Sequence, residues 1–265
     1  LASITTFLAI GTLIFAKHPA LRSIASVSVL GIFTALVITF VFYPTIFKFF
    51  IFRRPQKGLS PVSLRLLLHS AISLSYYALS SVILSNVGWV LATVFPHSKR
   101  GLRRLSSVLA ATVLFSNWRV RKRIENRQLL NTDTPSVVIA NHTSWLDTLA
   151  LELYSHRLSY VVNDWVYRSV IFGRYLRAMG AYPASEGIEK GMPLLERHLQ
   201  EDISVVIFPE GKRSESNRIH RFHQGAFYIA DTLQKPIVPV YIHGTSEVLP
   251  KGDFIIYDGA ITIVA

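Results

Sequence analysis

Long apolar runs fill the first hundred residues, and short ones spaced by polar turns fill the rest. Residues 4–16 and 24–47 carry no charge, and the second run exceeds the roughly 20 residues that cross a bilayer. Lys17-His18-Pro19-Ala20-Leu21-Arg22 separates them as a short turn, and Pro44 sits near the end of the second, where a membrane helix tolerates it. Residues 1–52 therefore read as two transmembrane helices. Residues 53–65, with Arg53, Arg54, Pro55 and Gly58, read as a polar linker. A third stretch without Lys, Arg, Asp or Glu runs from Leu66 to Pro96 and is longer than one span needs. Asn86 and Gly88 suit a break into a re-entrant hairpin, and one tilted helix is the alternative. The run Val108 to Phe115 is too short to span and fits an interfacial helix. Residues 66–124 thus read as a membrane-associated hairpin followed by a basic interfacial segment.

Beyond residue 132 the pattern changes. Residues 136–140, 160–162, 205–208 and 237–242 are short β-rich runs that predict buried strands. Residues 254–257 and 261–264 predict a terminal hairpin about Asp258-Gly259. Helices are expected over 144–155, 165–179, 186–201 and 223–234. This alternation predicts an α/β layered domain with a mostly parallel central sheet over residues 125–265.

Charge sharpens the division. The net charge is +12, but no Asp or Glu precedes Glu125. Residues 1–124 hold 15 of the 28 Lys and Arg. The remaining 13 face all 16 acids beyond, so the α/β part is slightly acidic and argues against nucleic acid as a partner. The cations flank apolar runs, as at membrane surfaces. Lys99, Arg100, Arg103 and Arg104, then Arg119, Arg121, Lys122 and Arg123, together with Arg53 and Arg54, place these segments on the cytoplasmic side of the inner (plasma) membrane. That placement requires residues 66–96 to enter and leave by one face. With no cysteine, disulfides, thiol nucleophiles and cysteine–zinc sites are excluded.

Two clusters carry chemistry. Asn141-His142-Thr143-Ser144-Trp145-Leu146-Asp147 begins where a strand ends and a helix starts. Ser144 and Asp147 have capping-box spacing, so one reading of Asp147 is a helix cap. Positions five apart diverge by about 140° on a helix, so His142 and Asp147 meet only if His142 lies in the preceding loop and folds back. The pair then makes a general base, with Asp147 fixing the imidazole tautomer and His142 taking a hydroxyl proton. Phe208-Pro209-Glu210-Gly211-Lys212-Arg213-Ser214 again follows a strand, at the crevice position of open α/β sheets. Its carboxylate, glycine and cations suit an anionic or polyol ligand. The two prolines of Lys235-Pro236-Ile237-Val238-Pro239-Val240 restrict that strand to an edge or an irregular place.

In this order the blocks resemble the glycerolipid acyltransferase family typified by 1-acylglycerol-3-phosphate O-acyltransferases. Asn141, His142 and Asp147 match its Asn-His-x-x-x-x-Asp block, Phe208 to Gly211 its Phe-Pro-Glu-Gly block, and Val238-Pro239-Val240 its last strand. The resemblance covers about residues 130–265. It implies that His142, polarised by Asp147, deprotonates an acceptor hydroxyl that attacks the thioester of acyl-CoA or acyl-carrier protein. It implies no metal and no other cofactor, and it makes membrane lipids the partners. Asn141, Ser144, Glu210, Gly211, Lys212, Arg213 and Ser214 become the expected substrate-binding residues, with backbone N–H groups near Ser144 as oxyanion donors.

Two positions depart from the family: Lys212 replaces a threonine, and Glu186 stands where spacing expects a phosphate-contacting arginine, which argues against a phosphate-bearing acceptor. The alternatives are an acyltransferase for a non-phosphate acceptor and a lipid-binding domain with a degenerate fold. Residues 5–44 also resemble the last two membrane helices of resistance–nodulation–division-type exporters. Together with the start at Leu1, this leads us to expect a parent protein that fuses an exporter to an acyltransferase.

Overall fold

A computed structural model describes residues 2–48, 56, 62–116, 120–126, 134–214 and 218–265. Most of the expected 53–65 linker and Arg119 lie outside these residues. The chain forms two compact units, Leu1–Leu64 and Arg65–Ala265.

In the first unit, α1 (Ala2–Thr12) and α2 (Pro19–Val37) are joined by a turn at Lys17 and His18. Pro19 opens α2 at a position where its missing N–H costs nothing. A wider π-type turn, Ile38–Phe42, carries α2 into α3 (Tyr43–Phe47). Pro44 lacks the N–H that would continue the regular ladder, and one residue on the hydroxyl of Thr45 donates to the carbonyl of Val41 at 2.6 Å. Pro19–Phe47 is apolar and long enough to cross a membrane, and almost all of its side chains are exposed.

The second unit opens with α4 (Leu64–Ile83), which passes through a π-turn at Leu84–Gly88 into α5 (Trp89–Val94). Leu64–Val94 is one apolar helical rod of 31 residues, not a re-entrant hairpin. Asn86 does not break it, because its side chain is satisfied at both ends: Nδ2 donates to the carbonyl of Val82 and Oδ1 accepts from Arg174. Helix α6 (Lys99–Ser116) follows and packs against α7 (Leu146–Tyr154).

The sheet contains β1 (Val120–Glu125), β2 (Val137–Ala140), β3 (Leu158–Val162), β4 (Tyr182–Pro183), β5 (Ser204–Ile207), β6 (Ile237–His243) and β7 (Gly259–Val264). Its seven strands lie in the order β1-β7-β6-β2-β5-β3-β4. Only the β6–β7 pairing is antiparallel, so the fold is the mostly parallel α/β layer expected. Between the strands lie α8 (Asp164–Tyr167), α9 (Gly173–Ala178), α10 (Ile188–Gln200), α11 (Gly225–Thr232) and α12 (Thr245–Val248). β2 is buried along its whole length, because helices cover both faces of a parallel sheet. One face packs Val138, Ala140, Tyr160 and Val206 beneath Leu149 and Ala110. The other packs Val137, Ile139 and Val205 beneath Leu195, Leu199 and Ile229.

Four expectations change. The basic stretch 120–125 is an edge strand of the sheet, with Arg121 and Arg123 exposed and Val120 buried. Arg103 is not a headgroup contact. It is buried, and its guanidinium donates at 2.6 Å to the carbonyls of Leu158 and Met179. The terminal hairpin does not form. Ile255, Ile256 and Tyr257 are consecutively buried, and the amides of Ile256 and Tyr257 go to Ser70 Oγ and the Val248 carbonyl. β7 pairs instead with β6 and β1. The Pro239 strand is interior to the sheet. Pairing with β7 begins only at Tyr241, so residues 237–240 are laddered on one side, which leaves room for a proline.

Candidate active site

The site lies at the C-terminal ends of β2 and β5, where open α/β sheets form their ligand crevice. After β2 the chain turns before α7 begins, and His142 folds back onto that helix. Its Nδ1 lies 2.9 Å from Asp147 Oδ2. The same oxygen accepts the amides of Thr143 at 2.6 Å and Ser144 at 2.8 Å. Oδ1 accepts from the Thr245 hydroxyl. Asp147 is fully buried, and both of its oxygens are engaged by hydrogen-bond donors. With Nδ1–H donating to the carboxylate, Nε2 is the ring nitrogen left for a substrate. Capping and orientation coexist: Asp147 closes the box on the Ser144 amide, while Ser144 Oγ accepts from the Leu146 amide at 3.2 Å.

The second block clasps His142 by its backbone. Glu210 Oε1 accepts the His142 amide at 3.0 Å, and the Ser214 amide donates to the His142 carbonyl at 2.7 Å. Glu210 Oε2 accepts the His220 amide at 3.0 Å. Phe208 stacks on the imidazole with ring centroids 4.1 Å apart. Gly211 takes φ +70° to turn this loop, a conformation costly for side-chain-bearing residues. The Arg213 guanidinium lies 4.6 Å from the Trp145 ring centre, and burial lowers its pKa from the ordinary value. Its Nη1 is buried without a hydrogen-bond partner among the described residues.

These contacts redistribute the expected substrate-binding residues. Asn141 is a cross-strand tie: its side chain donates to the Ile242 carbonyl at 2.8 Å and accepts the Ile242 amide at 2.7 Å. Ser144 is buried, and its hydroxyl donates to the Leu249 carbonyl at 2.7 Å. The Thr143 and Ser144 amides point at Asp147, so they are not oxyanion donors. Glu210 spends both oxygens on backbone amides, and Ser214 is buried with its hydroxyl donating to the Arg218 carbonyl. Of the expected set, His142, Gly211, Lys212 and Arg213 line the open cavity.

That cavity holds about 620 Å³. Its lining draws on both faces of the sheet, with Val162, Leu149 and Ala110 from one and Val161, Ile207 and Ile229 from the other. Tyr77 and Leu84 of the long apolar rod form part of its wall. Lys251 also lines it and donates through Nζ to the Arg213 carbonyl at 3.0 Å. Glu186 is exposed and lies off the cavity wall, while its neighbour Ala184 lies on it. Arg174 is held by Asn86 and lies over Trp89, and Arg177 lies over Tyr167. Among the described residues, no cluster of three or more His, Asp or Glu is arranged to hold a metal.

Sequence inspection missed Thr245, Leu249 and Lys251, which lie about a hundred positions from the histidine. One signal was Gly244, whose φ is +86° and where a Cβ would stand 1.8 Å from the Ala260 carbonyl oxygen. Only glycine lets the chain turn there and bring Thr245 under Asp147.

Residues 121–243 match the family model described as Acyltransferase. The chain is 25% identical over 181 residues to the chloroplastic 1-acyl-sn-glycerol-3-phosphate acyltransferase LPAT1 of Arabidopsis thaliana, covering 64% of this chain and 49% of that protein. It is 30% identical over 132 residues to the chloroplastic BAT2 enzyme of the same description from Brassica napus, covering 47% and 37%. The chain thus spans half or less of the length of these two relatives. In fold it matches the crystal structure of the 1-acyl-sn-glycerophosphate acyltransferase PlsC of Thermotoga maritima, with a TM-score of 0.61 at 19% identity, over 76% of this chain and 84% of that one. Over residues 121–243, which hold His142, Asp147 and the Glu210 clasp, the chain is similar to the acyltransferase family in sequence and shares the fold of a solved member.

Proposed function

We propose that this chain transfers a fatty acyl group from a thioester, acyl-CoA or acyl-carrier protein, to a hydroxyl of a glycerolipid-type acceptor at a membrane surface. The observation that carries it is the His142–Asp147 pair, held at 2.9 Å and opening onto a largely apolar cavity. His142 Nε2 takes the proton of the acceptor hydroxyl as its oxygen attacks the thioester carbon. The tetrahedral intermediate collapses, the carbon–sulfur bond breaks, and the thiolate leaves with the proton returned by the imidazolium. No serine or cysteine intermediate is needed. Asp147 stabilises the imidazolium and acts only through His142. With the Thr143 and Ser144 amides committed, Arg213 Nη1, unpaired among the described residues, is a donor for a developing or resident negative charge.

Lys212, Arg213 and Lys251 suit an anionic headgroup, and Glu186, off the cavity wall, is not placed to repel one. The relatives named 1-acyl-sn-glycerol-3-phosphate acyltransferases support a phosphate-bearing acceptor. The apolar helices Pro19–Phe47 and Leu64–Val94 support membrane association, and the excess of cations before residue 124 supports the cytoplasmic face of the plasma membrane. A fused exporter upstream rests on the residue pattern of 5–44 alone.

The test supplies labelled acyl-CoA and acyl-carrier protein, with phosphate-bearing and phosphate-free lysolipids, to membranes containing the protein. We expect label in a lipid product with wild type and a loss of at least about a hundredfold with His142→Ala. Equal label with both proteins would replace the enzyme reading with a lipid-binding one.

A further inference from the structure

Trp145 immediately precedes α7, between Ser144, whose hydroxyl is bonded to the Leu249 carbonyl, and buried Leu146. Its backbone is thus fixed on both sides, and its indole is delivered to the cavity wall. Trp165 of α8 lines the same cavity and meets Trp145 edge-on, with ring centroids 5.0 Å apart and planes at 80°. α8 is itself tied down: Asp164 Oδ1 accepts from the Ser185 hydroxyl, and the Tyr167 carbonyl accepts from Arg177 Nη1. The two indoles remain 37% and 53% exposed, and neither belongs to the apolar cores on the two faces of the sheet. Packing therefore does not account for them.

What the pair supports is a cation. The Arg213 guanidinium lies 4.6 Å from the Trp145 ring centre, inside the range at which an indole face attracts a positive charge. Its Nη1 is buried with no hydrogen-bond partner, and no ion pair includes it, among the described residues. At the other end of the residue, Lys251 Nζ donates to the Arg213 carbonyl at 3.0 Å. Ordering a long side chain costs affinity if it happens only when the ligand arrives, and these contacts order this one beforehand. A carboxylate would hold a guanidinium as firmly, but it would occupy the N–H groups and offset the charge. An aromatic face holds it and leaves both to a ligand. Lys212 lines the same cavity, so an anion of more than one charge, such as a phosphomonoester, suits the group better than a single oxyanion.

We infer, resting on the acyl-transfer reading above, that Trp145 is a positioning residue for acceptor recognition: it holds the Arg213 guanidinium in the orientation that receives the acceptor's phosphate, with Trp165 keeping the ring in place. Its effect is exerted through Arg213.

The test uses the full chain in phosphatidylcholine vesicles with palmitoyl-CoA and palmitoyl-acyl-carrier protein as donors. Lysophosphatidate and monoacylglycerol serve as acceptors. Trp145→Leu should raise KM for lysophosphatidate about tenfold, while kcat, KM for the donor and KM for monoacylglycerol stay within about twofold. Trp145→Phe keeps a weaker aromatic face and should raise it only about threefold; should the leucine variant not fold, this one carries the comparison. In an Arg213→Gln background, Trp145→Leu should add nothing further. An equal rise for both acceptors, a loss confined to kcat, or a full tenfold effect without Arg213 overturns this proposal and leaves acyl transfer standing. So does a wild type that acylates monoacylglycerol and not lysophosphatidate. Transfer from neither donor to either acceptor by folded wild type overturns both readings.

Discussion

Replacing Asp147 by asparagine tests the positioning role most directly. The carboxylate receives four donors: the His142 ring and the Thr143 and Ser144 amides on Oδ2, and the Thr245 hydroxyl on Oδ1. An asparagine with its carbonyl at the Oδ2 position keeps three of them and presents its NH2 to Thr245, whose hydroxyl rotates to accept. The reverse orientation sets NH2 against two amide donors and the ring N–H, so the first orientation wins. The fold and the imidazole tautomer are therefore retained, with about 1–3 kcal/mol of stability lost as charged hydrogen bonds become neutral. What disappears is the negative charge facing the imidazolium. With the delocalised charge centres roughly 4–5 Å apart and an effective dielectric near 20, that is about 3–4 kcal/mol, or roughly two to three orders of magnitude in rate. The loss falls on kcat, and KM for the acyl donor stays within about twofold, because the charge acts only once His142 is protonated. Steady-state transfer of labelled acyl groups checks this, with a thermal melt to confirm folding. A folded Asp147→Asn protein within about fivefold of wild-type kcat would refute the assignment.

Thr245→Val removes one donor from the buried carboxylate and should cost about 1–2 kcal/mol in a melt and about tenfold in kcat. Asn141→Leu cuts the two side-chain hydrogen bonds that fasten the end of β2 to β6 and leaves the Ile242 amide and carbonyl without them. A loss of about 2–4 kcal/mol is expected from denaturant unfolding, with kcat/KM per folded molecule little changed. Gly211→Ala forces a side chain into positive φ beside His223, at 3.3 Å, and should cost about 1–2 kcal/mol. Glu152 links stability to pH. Its carboxyl titrates near 7 when folded and near 4.5 when unfolded, so the folded state binds the extra proton between those values. Stability therefore falls as pH rises from about 4.5 to 7, by up to about 3 kcal/mol, and Glu152→Gln should flatten that slope in melts across the range.

The sheet was legible where strands are covered on both faces. Val137 to Ala140 and Val205 to Ile207 are apolar runs because a parallel sheet has no wet side. β1 was hidden because it is an edge strand whose exposed positions are basic, so its period-two pattern was read as a headgroup-binding cluster. β4 spans only two residues, too short for any periodicity to show. The helix expected over 165–179 is broken between Tyr167 and Gly173, where Ser169 Oγ takes the Ile171 and Phe172 amides, a local bond that periodicity does not register. Within the site, His142 and Asp147 were legible because five residues of chain are enough to bring them together. Thr245 was not, because its partner is 98 positions away and only the β6 crossover supplies it. Glu210 was noticed as a carboxylate after a strand, expected to meet a ligand. That it faces backbone amides and not ligand is decided by the fold of the 208–214 loop, which composition does not encode.

The rod Leu64–Val94 turns Tyr77 and Leu84 into the cavity while leaving Ile72, Leu79 and Ile83 bare on its other side. On the proposed function, one wall of the cavity is a two-sided partition, with acyl chains against one surface and whatever amphiphile surrounds the protein against the other. On that reading the surroundings enter the kinetics of transfer. A detergent with an acyl-length tail is a rival occupant of the same greasy space as well as a solvent for the helix, and activity after extraction will be set as much by the choice of detergent as by the protein.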